Sequence, residues 1–257
     1  MRVCIVGAGR LAWHLAQALH GAGHYVAQVF SRTMESAQTL ASKIGAQAVS
    51  RLEDMADADV YVVAVKDSAL PDVVRLLCNG REDKVFLHTG GSMSMSIFEG
   101  LACHYGVLYP MQTFSKERQL DFKCIPCFIE GNDEMTLNVV RQLAESVSDN
   151  VRELSGEARR HLHLAAVFAC NFANHCYEQA AEVLERQGLP FSVMLPLIEE
   201  TAQKVRELSP REAQTGPAVR YDENVMDAQL ALLDGHERAQ EIYRLLSQSI
   251  HETAIKQ

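Results

Sequence analysis

The sequence lacks the features of membrane-spanning, secreted and metal-binding proteins. No apolar run among its 257 residues approaches the roughly 20 residues that a bilayer-spanning helix needs. An apolar strand-like run begins at Val3, so we expect no signal peptide before it. The seven cysteines include one C-x-x-C, formed by Cys124 and Cys127, but no second pair to complete a zinc site. We therefore predict a cytoplasmic protein without a metal centre.

The chain also has fewer basic than acidic residues. Lys and Arg number 24 against 33 Asp and Glu, which gives a net charge of −9. This balance argues against nucleic acid or an anionic membrane as the main partner, because both attract basic surfaces. An anionic small molecule is not excluded, since a local site can be positive on an acidic protein. The length favours two domains, and the composition, 47% hydrophobic and 22% charged, is that of an ordinary folded protein.

The most informative feature that is present lies at the start of the chain. An apolar run, V-C-I-V (3–6), enters a turn with Gly7 and Gly9, and a helical pattern follows from Leu11. Strand, glycine turn and helix in this order are typical of a dinucleotide site, where free N–H groups at the helix start bind the pyrophosphate. The alternative interpretation is an ordinary connection between a strand and a helix.

Strand and helix patterns alternate up to about residue 152, after which only helical patterns remain. We predict an α/β fold, a doubly wound Rossmann-type parallel sheet followed by an all-α helical domain. Residues 1–152 would bind the dinucleotide, and residues 153–257 would contribute to substrate binding and dimerisation. Three helices are expected in the second part, at 162–184, 191–208 and 236–255. The first carries an alanine-rich stripe that permits close helix packing, so we expect a homodimer.

The end of the second predicted strand favours NADP(H) over NAD(H). An NAD site usually has Asp or Glu there, which binds the ribose 2′-hydroxyl. This chain has Ser31, Arg32 and Thr33 instead, a set that suits a 2′-phosphate. The alternative is that Arg32 is a solvated loop residue and the site is unselective.

Further candidates follow the strands near the middle of the predicted sheet, where ligands of this fold bind. Ordinary turn and helix-capping roles are the alternative for each of them. For His88, a buried structural role is the more common one. The residues that we assign to the cofactor are Gly7, Gly9, Arg10, Leu11, Ser31, Arg32, Thr33, Val65, Lys66, Ser68, Thr89 and Gly90; Ser92 is assigned to the substrate.

The long helix has a second face that carries polar groups. At about 100° per residue, His163, Asn171 and Asn174 lie opposite the alanine stripe. Between Leu162 and Tyr177 the helix has no Asp, Glu, Lys or Arg, so we expect this stretch to be buried on both sides. A substrate cleft would supply partners for the histidine and the two amides. Neighbouring backbone or a dimer mate would supply them equally well.

A loop near the C-terminus contains an arginine side chain. The segment T-G-P-A-V-R-Y-D (215–222) contains Arg220 and Asp222. Arg220 could bind a substrate carboxylate, or it could pair with Asp222 and fix the loop.

The chain resembles a family of bacterial proteins classed as NADP oxidoreductases, which join a Rossmann-like domain to a helical domain of unassigned function. More distantly, it is similar to pyrroline-5-carboxylate reductases and β-hydroxyacid dehydrogenases. The last of these carry a Lys-x-x-x-Asn pair, whereas this chain has Val167 four residues before Asn171. The motifs that carry the resemblance are G-A-G-R-L-A (7–12), V-F-S-R (29–32), A-V-K-D (64–67), H-T-G-G-S (88–92), Y-P-M-Q-T-F (109–114), H-L-A-A-V-F-A-C-N (163–171) and T-G-P-A-V-R-Y-D (215–222).

The resemblance implies NADPH chemistry, and the missing lysine argues against the hydroxyacid mechanism. We predict an NADP(H)-dependent oxidoreductase that acts on a small anionic carbonyl or imine compound. His163 is the candidate acid, because imidazole titrates near neutral pH. Asn171 would orient the substrate, and Lys66 or Arg220 would hold its carboxylate. The alternative is a non-catalytic NADP(H)-binding protein that senses redox state.

Overall fold

A computed structural model describes residues 1–256 of the chain. It contains two compact units, Met1–Cys170 and the chain from Asn171 onward. The strands of the first unit are β1 Arg2–Val6, β2 Tyr25–Phe30, β3 Gln47–Val49, β4 Val60–Val63, β5 Val85–His88, β6 His104–Pro110, β7 Cys127–Gly131 and β8 Val151–Glu153. Its α-helices are α1 Arg10–Gly21, α2 Met34–Ile44, α3 Leu70–Cys78, α4 Glu134–Val147 and α5 Gly156–Ala166.

The eight strands form one sheet in the order β3-β2-β1-β4-β5-β6-β7-β8. Neighbouring strands are parallel except β6 and β7, which pair antiparallel. The predicted doubly wound, Rossmann-type sheet is therefore confirmed. Helix α4 and strand β8 are not among the elements predicted from the sequence.

The alternation of side chains along β1 explains why both faces of the sheet are covered. Val3 and Ile5 belong to one fully buried cluster, and Cys4 and Val6 belong to a second cluster on the opposite face. Helices α1, α2 and α4 contribute to the first cluster, and α3 contributes to the second. A strand that is apolar on both faces is typical of a parallel sheet between helices.

The second unit is helical, as predicted. A π-helical segment, Val167–Phe172, joins α5 to α6. The α-helices that follow are α6 Ala173–Glu185, α7 Leu195–Glu207, α8 Pro217–Arg220, α9 Glu223–Ala231 and α10 Glu237–Ala254. Contacts divide the chain after Cys170, later than the boundary at residue 153 expected from the sequence. The two boundaries differ by helix α5. The sequence pattern placed α5 in the helical part, whereas its contacts place it in the first unit.

Burial differs sharply between the two units. The core of the first unit is extensive, whereas Ala218 is the only buried hydrophobic residue described in the second. Large apolar side chains are exposed there instead, with Leu232 77% and Leu245 69% exposed. Within one chain, the burial expected for residues 162–177 is not found, since Leu164 and Phe168 are both exposed. Across residues 1–256, no helix is both long and apolar enough to cross a membrane.

Candidate active site

The candidate site lies where the strand order reverses. From β1, the chain continues to β2 on one side, and β4 and β5 follow on the other side. Backbone hydrogen bonds join the ends of these strands: Ala64 N donates to Val6 O at 2.8 Å, and Thr89 N donates to Val63 O at 3.2 Å. The carboxyl ends of β1, β4 and β5 therefore meet at one edge, which is where open α/β sheets bind their ligands.

Gly7 permits the close approach of the first turn to the end of β4. Its φ is +124°, and a Cβ atom at this position would lie 2.2 Å from Ala64 O. A backbone atom cannot yield as a flexible side chain does, so any larger residue would push the turn away from the sheet. The main role of Gly7 is therefore to permit the shape of this turn.

Gly9 and the start of α1 offer an open, uncapped helix end. Gly9 has an ordinary φ of −73°, and a Cβ atom there would meet no atom within 4 Å. No side chain caps α1, and its first turn, which begins with Arg10 and Leu11, has no acidic residue. By contrast, Asp133 caps α4 by accepting from Thr136 N at 2.6 Å. Free N–H groups beside open space fit a pyrophosphate.

The end of β2 presents a free guanidinium. Ser31 N donates to Val49 O at 3.1 Å, which fixes the backbone of this turn. The Thr33 hydroxyl donates to Ser36 Oγ at 2.8 Å. Arg32 is exposed, and its side chain makes no hydrogen bond or ion pair with any described residue. A cation that no carboxylate neutralises fits a 2′-phosphate.

The ends of β4 and β5 face each other across the same edge. Lys66 and Ser68 are exposed in a short turn after β4, and Val65 is partly buried there. The buried Thr89 hydroxyl donates to Val63 O at 3.5 Å. A Cβ atom on Gly90 would lie 3.3 Å from Asp67 Oδ1, so the two turns are in contact.

His88 has a structural role in this edge. Its Nδ1 accepts a hydrogen bond from Gly90 N at 3.1 Å, and its ring stacks on Phe98 at 6.0 Å. Burial and the nearby positive charge of Arg159 lower the pKa of His88 to about 3, so the ring is neutral. His88 therefore holds the Gly90 turn and is not available as an acid at neutral pH.

His163 stands directly against the loop that follows β5. A Cβ atom on Gly91 would lie 2.6 Å from His163 Nδ1, so only glycine fits there beside this ring. The Tyr109 hydroxyl, at the end of β6, lies 3.0 Å from the same Nδ1. Burial raises the pKa of Tyr109, so its hydroxyl stays protonated at neutral pH and can either donate to Nδ1 or accept from it. The bond engages Nδ1, and Nε2 makes no hydrogen bond with the described residues.

Tyr109 and Gly91 are not among the site residues predicted from the sequence. Gly91 lies between Gly90 and Ser92, which were both predicted, and Tyr109 lies next to the last residue of β6. The rule that strand ends carry the site, extended by one strand, would have included Tyr109. The contact of Gly91 with His163 has no signal in the sequence, because it joins residues far apart in the chain.

The side chains of the remaining predicted residues make no hydrogen bonds with described residues. Ser92 is exposed beside Gly91. Asn171, Asn174 and Arg220 belong to the second unit, where they are exposed, and their side chains make no hydrogen bond within residues 1–256. Arg220 forms no ion pair with Asp222 among the described residues, and Asp222 caps α9 by accepting from Val225 N at 3.4 Å.

The π-helical segment also removes the basis for placing His163, Asn171 and Asn174 on one helical face. That placement assumed a constant 100° per residue from His163 to Asn174. The segment Val167–Phe172 has the wider i→i+5 turn, so the angular spacing changes between these residues. The assignments of Asn171 and Asn174 stay predictions that the helical projection no longer supports.

Comparisons with known proteins identify the family. Residues 2–90 match the family model described as NADP oxidoreductase coenzyme F420-dependent, and residues 125–250 match a domain of unknown function (DUF2520). The crystal structure of "putative NADP oxidoreductase BF3122" from Bacteroides fragilis is 49% identical, with 98% of each chain covered and a TM-score of 0.94. The chain belongs to the family of this NADP oxidoreductase. No curated protein matches it.

More distant structures share the fold. An imine reductase from Myxococcus stipitatus in complex with NADP+ is 15% identical, with 100% of this chain and 93% of that chain covered and a TM-score of 0.68. A 1-pyrroline-5-carboxylate reductase from Streptococcus pyogenes is 13% identical, with 98% of each chain covered and a TM-score of 0.63. The resemblance predicted from the motifs, and with it the class of NAD(P)-dependent oxidoreductases, is confirmed at the level of the family.

Proposed function

We propose that this NAD(P)-dependent oxidoreductase transfers a hydride between NADP(H) and a small anionic carbonyl or imine compound, with His163 as the proton donor. One observation carries the proposal: the ring of His163 lies against Gly91, in the loop at the edge where this fold binds its ligands. When bound, the nicotinamide supplies or accepts the hydride, and the protein supplies position and a proton.

The residues at the sheet edge fit NADP(H) better than NAD(H). The uncapped start of α1 and the open space at Gly9 suit the pyrophosphate. The free side chain of Arg32 suits the 2′-phosphate, and no Asp or Glu follows β2 directly to bind a 2′-hydroxyl. The residues proposed for the remainder of the cofactor are Val65, Lys66, Ser68, Thr89 and Gly90.

Tyr109 and His163 form a hydrogen-bonded pair that engages one ring nitrogen, Nδ1, and leaves Nε2 for a substrate. In its imidazolium form, His163 would donate the Nε2 proton to a carbonyl oxygen or an imine nitrogen as the hydride arrives at carbon, which leaves a neutral ring. Because Tyr109 is buried and Gly91 fills one side of the ring, His163 has little freedom to rotate.

The proposed substrate contacts come from exposed cations, amides and a hydroxyl. Lys66 is exposed beyond β4 and pairs with no carboxylate among the described residues, so it is free to bind a substrate anion. Arg220 is the second candidate for this role, and Asn171 would orient the substrate. Ser92 and Asn174 are proposed as further contacts.

We also propose a cytoplasmic homodimer, joined through the second unit. A groove in this unit is lined by apolar side chains that include Val183, Leu232, Ile242 and Leu246. An apolar surface on this scale is typical of an interface in a soluble protein. The cysteines are all unpaired, which fits a reducing compartment.

The test is turnover. Wild-type protein is incubated with NADPH and a panel of 2-oxo acids, cyclic imines and imine carboxylates, and NADPH absorbance is followed. We expect steady oxidation with at least one member of the panel, and a loss of about 100-fold or more in kcat for His163→Gln with unchanged NADPH affinity. Tight NADPH binding without turnover of any member would favour the alternative, a redox-sensing protein.

A further inference from the structure

Arg159 is a buried arginine on α5, one helical turn before His163. Its side chain is 1% exposed. The guanidinium forms an ion pair with Glu130 on β7, and its second terminal nitrogen donates to Met93 O at 2.6 Å. Met93 lies in the loop after β5, two residues beyond Gly91. One side chain thus connects α5, β7 and the loop of the candidate site.

Glu130 completes the connection. Its other carboxylate oxygen accepts a hydrogen bond from Gly156 N at 2.8 Å, at the first residue of α5. The Met93 side chain, in turn, packs on Gly90, where a Cβ atom would lie 3.3 Å from Met93 Cγ. The start of α5 and the Gly90 turn are therefore both fixed to the same ion pair.

Stability alone does not explain such a pair. Buried ion pairs are costly to desolvate, and apolar residues of similar volume often replace them without loss. The pair is also incomplete, because Arg159 Nε is buried without a partner among the described residues. His163 lies one turn further along the same helix, and its ring has no spare room against Gly91.

We propose that Arg159 and Glu130 are positioning residues that hold His163 in register with the cofactor loop. The proposal rests on the function proposed above for His163 and that loop. A shift of α5 by a fraction of an ångström would either press the ring into Gly91 or lengthen the bond with Tyr109. The ion pair prevents this shift by tying α5 and the loop to the same carboxylate.

The experiment uses a double variant, Arg159→Met with Glu130→Gln, in the full-length protein. Removing both charges avoids an unpaired buried ion, and the glutamine can still accept from Gly156 N. Arg160→Met with Glu157→Gln is the matched control, because both residues are exposed on α5 and the two substitutions remove the same pair of charges. Circular dichroism and thermal unfolding establish that each variant is folded.

Two readouts separate positioning from general stability. The first compares the affinity for NADPH with that for adenosine 2′,5′-bisphosphate, a fragment without nicotinamide. The second is the 15N NMR signal of the His163 ring, assigned by its loss in His163→Gln. We expect the double variant to bind the fragment within about twofold of wild type and NADPH about tenfold more weakly. Its His163 ring signal should move away from the wild-type position, because the bond between Tyr109 and Nδ1 is lengthened.

Unchanged NADPH affinity and an unchanged His163 signal in a folded double variant would overturn the proposal. If the double variant does not fold, Arg159→Lys replaces it. Lysine keeps the charge but lacks the planar fork that reaches Glu130 and Met93 O together, so the same two losses are expected. Wild-type readings in Arg159→Lys would then overturn it. Failure of wild-type protein to bind NADPH would reject the proposed function, while the His163 signal would still test the ion pair.

Discussion

The two units of this protein differ in how far they bury their apolar side chains. The first buries its strands under helices on both faces of the sheet, and its exposed large hydrophobic residues are few. The second exposes leucines and valines along almost every helix, with one buried hydrophobic residue described, Ala218. The first unit therefore contains the core that stabilises it, whereas many large apolar side chains of the second are exposed.

The same contrast applies to the polar residues of the candidate site. In the first unit, His163, Tyr109 and Arg159 have defined partners and distances. In the second, Asn171 and Arg220 are exposed and have none among the described residues. The proposed roles in cofactor binding and proton donation thus fall on groups of the first unit, whereas the substrate contacts proposed from the second unit rest on exposed side chains.

The largest effect should come from Gly7, inside the first unit. A side chain there would meet the carbonyl of Ala64 at 2.2 Å, so Gly7→Val should reduce the free energy of unfolding by more than about 3 kcal/mol. Thermal and urea unfolding measure this. Near-wild-type stability would show that the turn can move away from β4 at little cost.

Gly9→Val is the matched variant two residues away. Its side chain would enter open space, so the fold should persist, while the pyrophosphate loses its place. We expect unfolding like that of wild type and NADPH binding weaker by at least about 100-fold in calorimetry. Wild-type affinity would place the phosphate site elsewhere.

The second unit should be sensitive to charged substitutions in its apolar groove. Charging the apolar groove with Leu232→Glu and Leu246→Glu should convert the proposed dimer to monomer and lower the melting temperature, because each carboxylate would be buried in the interface. Leu76→Glu is the control, since Leu76 is 57% exposed on the first unit. Light scattering at micromolar concentration measures the mass. If the wild-type protein is itself a monomer at this concentration, the proposed homodimer is wrong.

The first unit should also be acid-sensitive through His88. Burial keeps the pKa of His88 at about 3, below that of an unfolded histidine, so only the unfolded state gains a proton as the pH falls below about 6.5. Between pH 6.5 and 4.5 this group should cost roughly 2–3 kcal/mol of stability. His88→Phe should flatten that slope in urea unfolding, and an unchanged slope would show that carboxylates alone cause it.

The smallest effect in this series concerns cofactor choice. Arg32→Ala should weaken NADPH binding by about 1–3 kcal/mol and leave NADH binding unchanged, because the guanidinium is proposed to meet the 2′-phosphate. Calorimetry with both cofactors measures the difference. Equal affinities for the two in wild-type protein would refute the preference.

The features that could be predicted from the sequence are those that depend on residues close together in the chain. The apolar run before Gly7 and the helix after it predicted the first turn, and apolar strands predicted the parallel sheet. Arg159 could not be predicted as buried, since arginine is usually exposed and its partners, Glu130 and Met93, lie far away in the chain. The π-helical segment likewise has no periodic signal, and it invalidated the helical projection from His163 to Asn171.

The position of His163 relative to the nicotinamide decides between catalysis and binding alone. A crystal structure of the protein with NADPH measures it directly. We expect His163 Nε2 within direct or one-water hydrogen-bond reach of the space in front of the ring, with Gly90 and Gly91 beside it. A separation of more than about 10 Å, well beyond that reach, would contradict the catalytic role of His163 and leave NADP(H) binding as the function.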